Sequence, residues 1–170
     1  MRERTRRTPG SALAAENRKK GGLVVIRGVH HTTLSVENME RALAFYRDVL
    51  GFDVVWKGGW EAGTDRADQV IGLKDSAARF VMLRREDSCL ELFVYSSPPP
   101  KPADRTRRVC DHGYTHVCLE VKDIDSEYER LKTAGMNFHA APPGAVGGIR
   151  AIYGRDPDGN VIELLEMLNP

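Results

Sequence analysis

Apolar and polar positions alternate along two short stretches of this chain, His31-Thr32-Thr33-Leu34-Ser35-Val36 and His116-Val117-Cys118-Leu119-Glu120-Val121. Period-two alternation predicts strands with one greasy face. In the first stretch Leu34 and Val36 point one way, and His31, Thr33 and Ser35 point the other. In the second, His116, Cys118 and Glu120 share the more polar face. Each stretch opens on a histidine, with apolar residues three, five and eight positions later (Leu34, Val36 and Met39; Leu119, Val121 and Ile124). The two copies are offset by 85 residues.

The period then changes to that of a helix. Met39, Ala42, Leu43, Tyr46, Val49 and Leu50 keep the spacing of an amphipathic helix, with Asn38 as N-cap and Gly51 as the residue that stops it. Ile124, Tyr128, Leu131 and Ala134 repeat the stripe, capped by Asp123 or Asp125 and stopped by Gly135. Three strands follow in each half, at 52–57, 79–85 and 88–96 and at 137–140, 149–154 and 161–167. A short helix at 67–72, ended by Gly72, is inserted in the first half. Asp156-Pro157-Asp158-Gly159 is a turn that closes the last hairpin, since proline presets φ and glycine accepts φ > 0. The predicted class is α+β, two tandem β-α-β-β-β modules whose mixed sheets curl around a cleft.

Pro98-Pro99-Pro100-Lys101-Pro102 breaks the pattern and reads as a stiff linker over 98–109. The modules are then 23–97 and 110–170, together forming one domain. Residues 1–22 carry seven basic side chains against two acidic ones and few large apolar residues, which predicts a disordered basic tail.

Length suits this organisation, because 170 residues make one compact domain. Lys and Arg number 25 against 24 Asp and Glu, so no global basic field points to nucleic acid. No apolar run reaches the roughly 18 residues needed to span a bilayer. The three cysteines show no C-x-x-C spacing, which argues against a disulfide framework or a zinc ribbon and for a reducing cytoplasm.

The candidate chemistry lies in the last strand of each half. Glu91 stands within Ser88-Cys89-Leu90-Glu91-Leu92-Phe93-Val94, and Glu163 within Val161-Ile162-Glu163-Leu164-Leu165. A carboxylate among apolar neighbours is costly unless paired or bound to a metal. Alternation puts Glu91 and Glu163 on the faces that their strands' leucines do not use. Each half thus offers one histidine, His31 or His116, and one glutamate. A lone histidine or glutamate on a strand carries little meaning, but a match in two copies is hard to attribute to chance. If the sheets curl toward each other, the four side chains converge in one cleft. Two imidazoles and two carboxylates suit Zn, Ni, Co, Mn or Fe(II), with positions left open for substrate. His30, His112 and His139 fall outside this set. Cys118 reads as a small hydrophobe lining the cleft. Trp60 is a candidate for a substrate mouth, and Trp56 suits the core better.

The stretches HTTLSVENMERALAFYRDVLGF, LELFVY, THVCLEVKDID and DPDGNVIELLE resemble the vicinal oxygen chelate superfamily over residues 25–168. That group includes glyoxalase I, methylmalonyl-CoA epimerase, extradiol dioxygenases and fosfomycin-resistance proteins. The resemblance implies paired modules around one divalent metal held by His31, Glu91, His116 and Glu163. It also implies a homodimer, with the site built within one chain or shared between two. The ligand pattern His, Glu, His, Glu is that of glyoxalase I, but Tyr95-Ser96-Ser97-Pro98 replaces the Asn-Trp-Gly typical there, which weighs against a glutathione-linked substrate. Methylmalonyl-CoA epimerase usually has Gln where Glu91 stands.

The expected function is metal-dependent proton transfer next to a carbonyl of a small molecule, as a lyase or isomerase. Glu163 or Glu91 is the base, with Glu163 preferred. Tyr153 and Arg150 lie on opposite faces of the preceding strand, so one of the two reaches the cleft. An Fe(II) extradiol-type dioxygenase is the alternative, supported by Tyr153 within a matching C-terminal stretch and opposed by the lack of a histidine shortly before it. A non-catalytic drug-binding module is the third reading.

Overall fold

The computed structural model describes residues 26–168. The expectation of a disordered tail over 1–22 therefore lies outside the described residues. The chain divides into two units, up to His30 and from His31 onward. Of the first, residues 26–30 are described and hold no helix or strand. Every element below belongs to the second.

Strand β1 (Thr32–Ser35) leads into helix α1 (Met39–Leu43), which widens into a π-helical segment, Ala44–Val49. Then come β2 (Asp53–Trp60), the short helix α2 (Asp65–Ile71), β3 (Ala77–Arg85) and β4 (Ser88–Ser97). The second half repeats the order with β5 (His116–Glu120), α3 (Ile124–Thr133), the two-residue β6 (Asn137–Phe138), β7 (Ile149–Arg155) and β8 (Val161–Met167). The sheets are ordered β1-β4-β3-β2 and β5-β8-β7-β6. In each, the first strand runs parallel to the last and the other pairs are antiparallel.

The caps follow the sequence. Asn38 accepts a hydrogen bond from the Arg41 amide, and Asp123 accepts one from Ser126. Gly72 closes α2 in the left-handed region. Some elements differ from expectation. Helix α1 is not α-helical throughout, since the Leu50 amide donates to the Phe45 carbonyl, five residues back. The wider turn buries the adjacent Phe45 and Tyr46 together. Strand β6 ends after two residues, at Phe138, rather than running to residue 140.

One apolar cluster serves both halves. It contains Phe45, Leu83, Leu90 and Leu92 from the first and Ile124, Leu131, Ile162 and Leu164 from the second. Polar ties cross the same boundary. The Tyr46 hydroxyl donates to Asp156 at 2.7 Å, Arg41 pairs with Asp158, and Arg130 donates to the Val49 carbonyl at 2.9 Å. Each sheet therefore spends its leucine face on a shared core, and its other face looks away from that core.

Candidate functional site

The faces turned from the core carry the predicted residues. On the first sheet, His31 Nε2 lies 3.3 Å from Glu91 Oε2. Thr33, directly beside Glu91 in the β1–β4 register, donates its hydroxyl to the same oxygen at 3.1 Å. Glu91 is only 8% exposed. On the second sheet, His116 Nε2 lies 3.1 Å from Glu163 Oε2. Cys118 takes the place of Thr33, next to Glu163 in the β5–β8 register. Burial and the neighbouring Glu163 carboxylate push the Cys118 thiol up to about 11, so it stays protonated at neutral pH. Cys118 thus stands beside the predicted ligand Glu163 as a neutral thiol.

The structure brings His31 to Glu91 and His116 to Glu163, and it keeps the two pairs apart. Among the described residues no three His, Cys, Asp or Glu side chains group so as to hold a metal ion. The shared core explains this, since both pairs face outward from it.

Tyr153 sits across from Glu163 on β7, with its ring 4.9 Å from that of His116. Burial and then the Glu163 charge raise its hydroxyl above the ordinary tyrosine value. Arg150 alternates to the opposite face and pairs with Asp125 at 2.6 Å. A cavity of about 450 Å³ opens beside Glu163 and Tyr153, walled by His139, Ala140, Ala141 and Pro143 from the segment after β6. His139 was not legible as a site residue, because it lies outside the repeat and reaches Glu163's surroundings only through the early end of β6.

Trp56 corrects a second expectation. It is 61% exposed, on the same sheet face as Met82 and Glu91. The β2–β3 register slips between Val54 and Trp56, which carries the indole away from the core.

A sequence profile described as the Glyoxalase/Bleomycin resistance protein/Dioxygenase superfamily matches residues 28–164. The chain is 28% identical over 146 residues to a 2-epi-5-epi-valiolone epimerase of an Actinomyces species, covering 82% of this chain and 79% of the relative. It is also 28% identical over 146 residues to a lactoylglutathione lyase of Pseudomonas aeruginosa, covering 81% of each. Among solved structures, a glyoxalase family protein from Bacillus cereus superposes with a TM-score of 0.76 at 25% identity, covering 85% of this chain and 96% of that one.

Proposed function

The chain belongs to the Glyoxalase/Bleomycin resistance protein/Dioxygenase superfamily, and from that membership we propose that it is a divalent-metal-dependent lyase or isomerase acting on a small molecule. The observation that carries this reading is the matched pair of His–Glu contacts, one per sheet, at 3.3 and 3.1 Å. Adjacent ligands of one ion, each about 2.1 Å from it at right angles, stand roughly 3 Å apart. The donor set of two imidazoles and two carboxylates fits such an ion, and His31, Glu91, His116 and Glu163 are the residues that would hold it.

A bound divalent ion supplies Lewis acidity toward two adjacent substrate oxygens. The chain's own residues then divide the work. Glu163 borders the cavity, so it is the carboxylate placed to take a proton from a carbon next to a carbonyl and to return it. Tyr153 keeps its proton at neutral pH and can donate to a developing oxyanion. Thr33 orients the Glu91 carboxylate through its hydroxyl, and Cys118 stands as a neutral thiol beside Glu163. The reaction classes are those named by the epimerase and lyase relatives.

The two pairs face outward from one core, which favours a homodimer in which the His31–Glu91 face of one copy meets the His116–Glu163 face of the other. Elemental analysis of untagged protein tests the metal reading. Roughly one transition-metal ion per chain, lost on His31→Ala and on Glu163→Ala alike, is the expected outcome. Protein that stays metal-free after soaking overturns it. Iron retained in Glu91→Ala but lost in His31→Ala would favour the dioxygenase chemistry instead.

A further inference from the structure

The outward face of the first sheet carries more than His31 and Glu91. Beyond Glu91 it is almost wholly aromatic. The register places Trp56 beside Met82 and Glu91, Gly58 beside Phe80 and Phe93, and Trp60 beside Ala78 and Tyr95. Phe93 and Tyr95 stack with centroids 5.5 Å apart and planes at 16°, and Phe80 adjoins Phe93 at 5.3 Å. Trp56 stands edge-on to Phe80 at 4.9 Å, and Trp60 stands edge-on to Phe93 at 5.7 Å. A sheet face turned from the core ordinarily carries polar side chains, so five aromatic rings in one patch call for a ligand or a partner.

Two features make this patch a shaped recess. Gly58 has no side chain, and Phe80 occupies its place, since a Cβ there would lie 2.4 Å from the Phe80 ring. Trp60 is fixed by a relay, in which its indole N–H donates to the fully buried Ser76 hydroxyl at 2.8 Å and that hydroxyl donates to Asp68. Asp68 also accepts the Ser76 and Asp75 amides. The one polar atom of Trp60 is thus satisfied from behind, and its ring is held in a single orientation.

We propose that this recess binds a flat aromatic ring of the substrate, attached to the pair of adjacent oxygens that the His–Glu centre would take. The oxygen end rests on the metal-binding reading above. The aromatic end rests on the recess alone. Four residues of extended strand separate Glu91 from Tyr95, about 13 Å, which is long enough for a bicyclic ring. Between the Trp60 and Glu91 ends of the aromatic run this face carries no Lys or Arg, because Lys57 and Arg79 alternate onto the other side and Arg84 lies past Glu91, beside Cys89 and away from the rings. A substrate tail bearing carboxylates or a phosphonate would meet no cation there, whereas an uncharged ring would meet aromatic faces and edges.

The chain has two tryptophans, and both line the recess, so intrinsic fluorescence reports on it directly. The test compares three probes on the full-length protein supplemented with Zn(II). Acetohydroxamate offers two adjacent oxygens without a ring, 2-naphthol offers the ring without the chelating pair, and 2-naphthohydroxamate offers both. The expected result is quenching by 2-naphthol, together with 2-naphthohydroxamate binding at least roughly tenfold more tightly than acetohydroxamate by calorimetry. Trp56→Ala, at an exposed position outside the buried core, should reduce that preference to within about threefold, with Phe93→Leu as a second variant. Equal affinity of the two hydroxamates overturns the recess and leaves the metal reading standing. Quenching by 2-naphthol with no Zn-dependent hydroxamate binding sinks the metal reading and leaves the recess. Absence of quenching, with a dimer that Trp56→Ala dissociates in sedimentation, overturns the proposal in favour of a second copy packed on these rings.

Discussion

Tyr46 illustrates what a single residue does here beyond its place in a pattern. Its spacing marks it as core, and it is buried. Its hydroxyl, however, reaches Asp156, which is 110 residues away in sequence. Asp156 also accepts from the Asp158 amide and from both the amide and the side chain of Asn160, so the turn between β7 and β8 is organised around one carboxylate that α1 helps to satisfy. Nothing in the local sequence announces this, because the partner's identity depends on how the two modules pack. Tyr46→Phe removes one of Asp156's donors and leaves the others, so a loss of about 1–2 kcal/mol at neutral pH is expected. Burial, and then the Asp156 carboxylate, raise the Tyr46 hydroxyl well above its ordinary value. Above the ordinary tyrosine value of about 10 the unfolded chain releases this proton while the folded chain keeps it. The unfolded state then binds fewer protons, so stability falls as pH rises, by up to about 1.4 kcal/mol per pH unit until the folded hydroxyl itself titrates. Phenylalanine has no such proton. Urea denaturation at pH 7 and pH 10.5 should therefore show the deficit of Tyr46→Phe shrinking at the higher pH, and an unchanged deficit would mean that this hydroxyl is not held protonated.

Elements were legible where one residue decides an end, and not where packing decides it. Asn38, Gly72, Asp123 and the Asp156–Gly159 turn each carry their own mechanism, and each stands where that mechanism puts it. The π-helical continuation of α1 reflects two adjacent aromatic rings competing for the same core, which a helical period of 3.6 does not anticipate. Strand β2 runs to Trp60 rather than stopping at residue 57, because Gly58 and Gly59 pair with β3 and let Phe80 and the β3 backbone approach. Gly154 has the same function in β7. A Cβ there would lie 2.6 Å from Met136 and 2.8 Å from Phe138, and the position is buried. Gly154→Ala is therefore expected to cost about 1–3 kcal/mol through overpacking where α3 leads into β6. Gly144 is the control, since it has open space around it and no left-handed φ. Gly144→Ala should be neutral or stabilise by a few tenths of a kcal/mol. Thermal denaturation of the two variants side by side checks the contrast, and equal losses would refute the packing account of Gly154.

The whole molecule sets the question that neither residue nor element answers, namely which copies of the two His–Glu pairs work together. The repeat made the four side chains legible as candidates, because a match at two positions in each of two copies is a strong signal. It left their grouping open, because a site within one chain and a site shared by two use the same residues. The structure narrows this through its core. Leu90 and Leu92 on one sheet and Ile162 and Leu164 on the other belong to one apolar cluster, so the glutamates between them face outward in both halves. Closing the two outward faces on each other within one chain would require that cluster and the Tyr46–Asp156 and Arg41–Asp158 ties to open. A second copy requires no such opening. Complementation decides the matter. A chain carrying His31→Ala and Glu91→Ala keeps only the second pair, and a chain carrying His116→Ala and Glu163→Ala keeps only the first. Each alone is expected to lose its metal in either arrangement. Co-expressed, a shared site would be rebuilt once in every mixed dimer. Random pairing makes half of the dimers mixed, and each has one intact site of two, so metal content should recover to about a quarter of the wild-type level. A site contained in one chain would recover nothing, because no chain in the mixture holds both pairs.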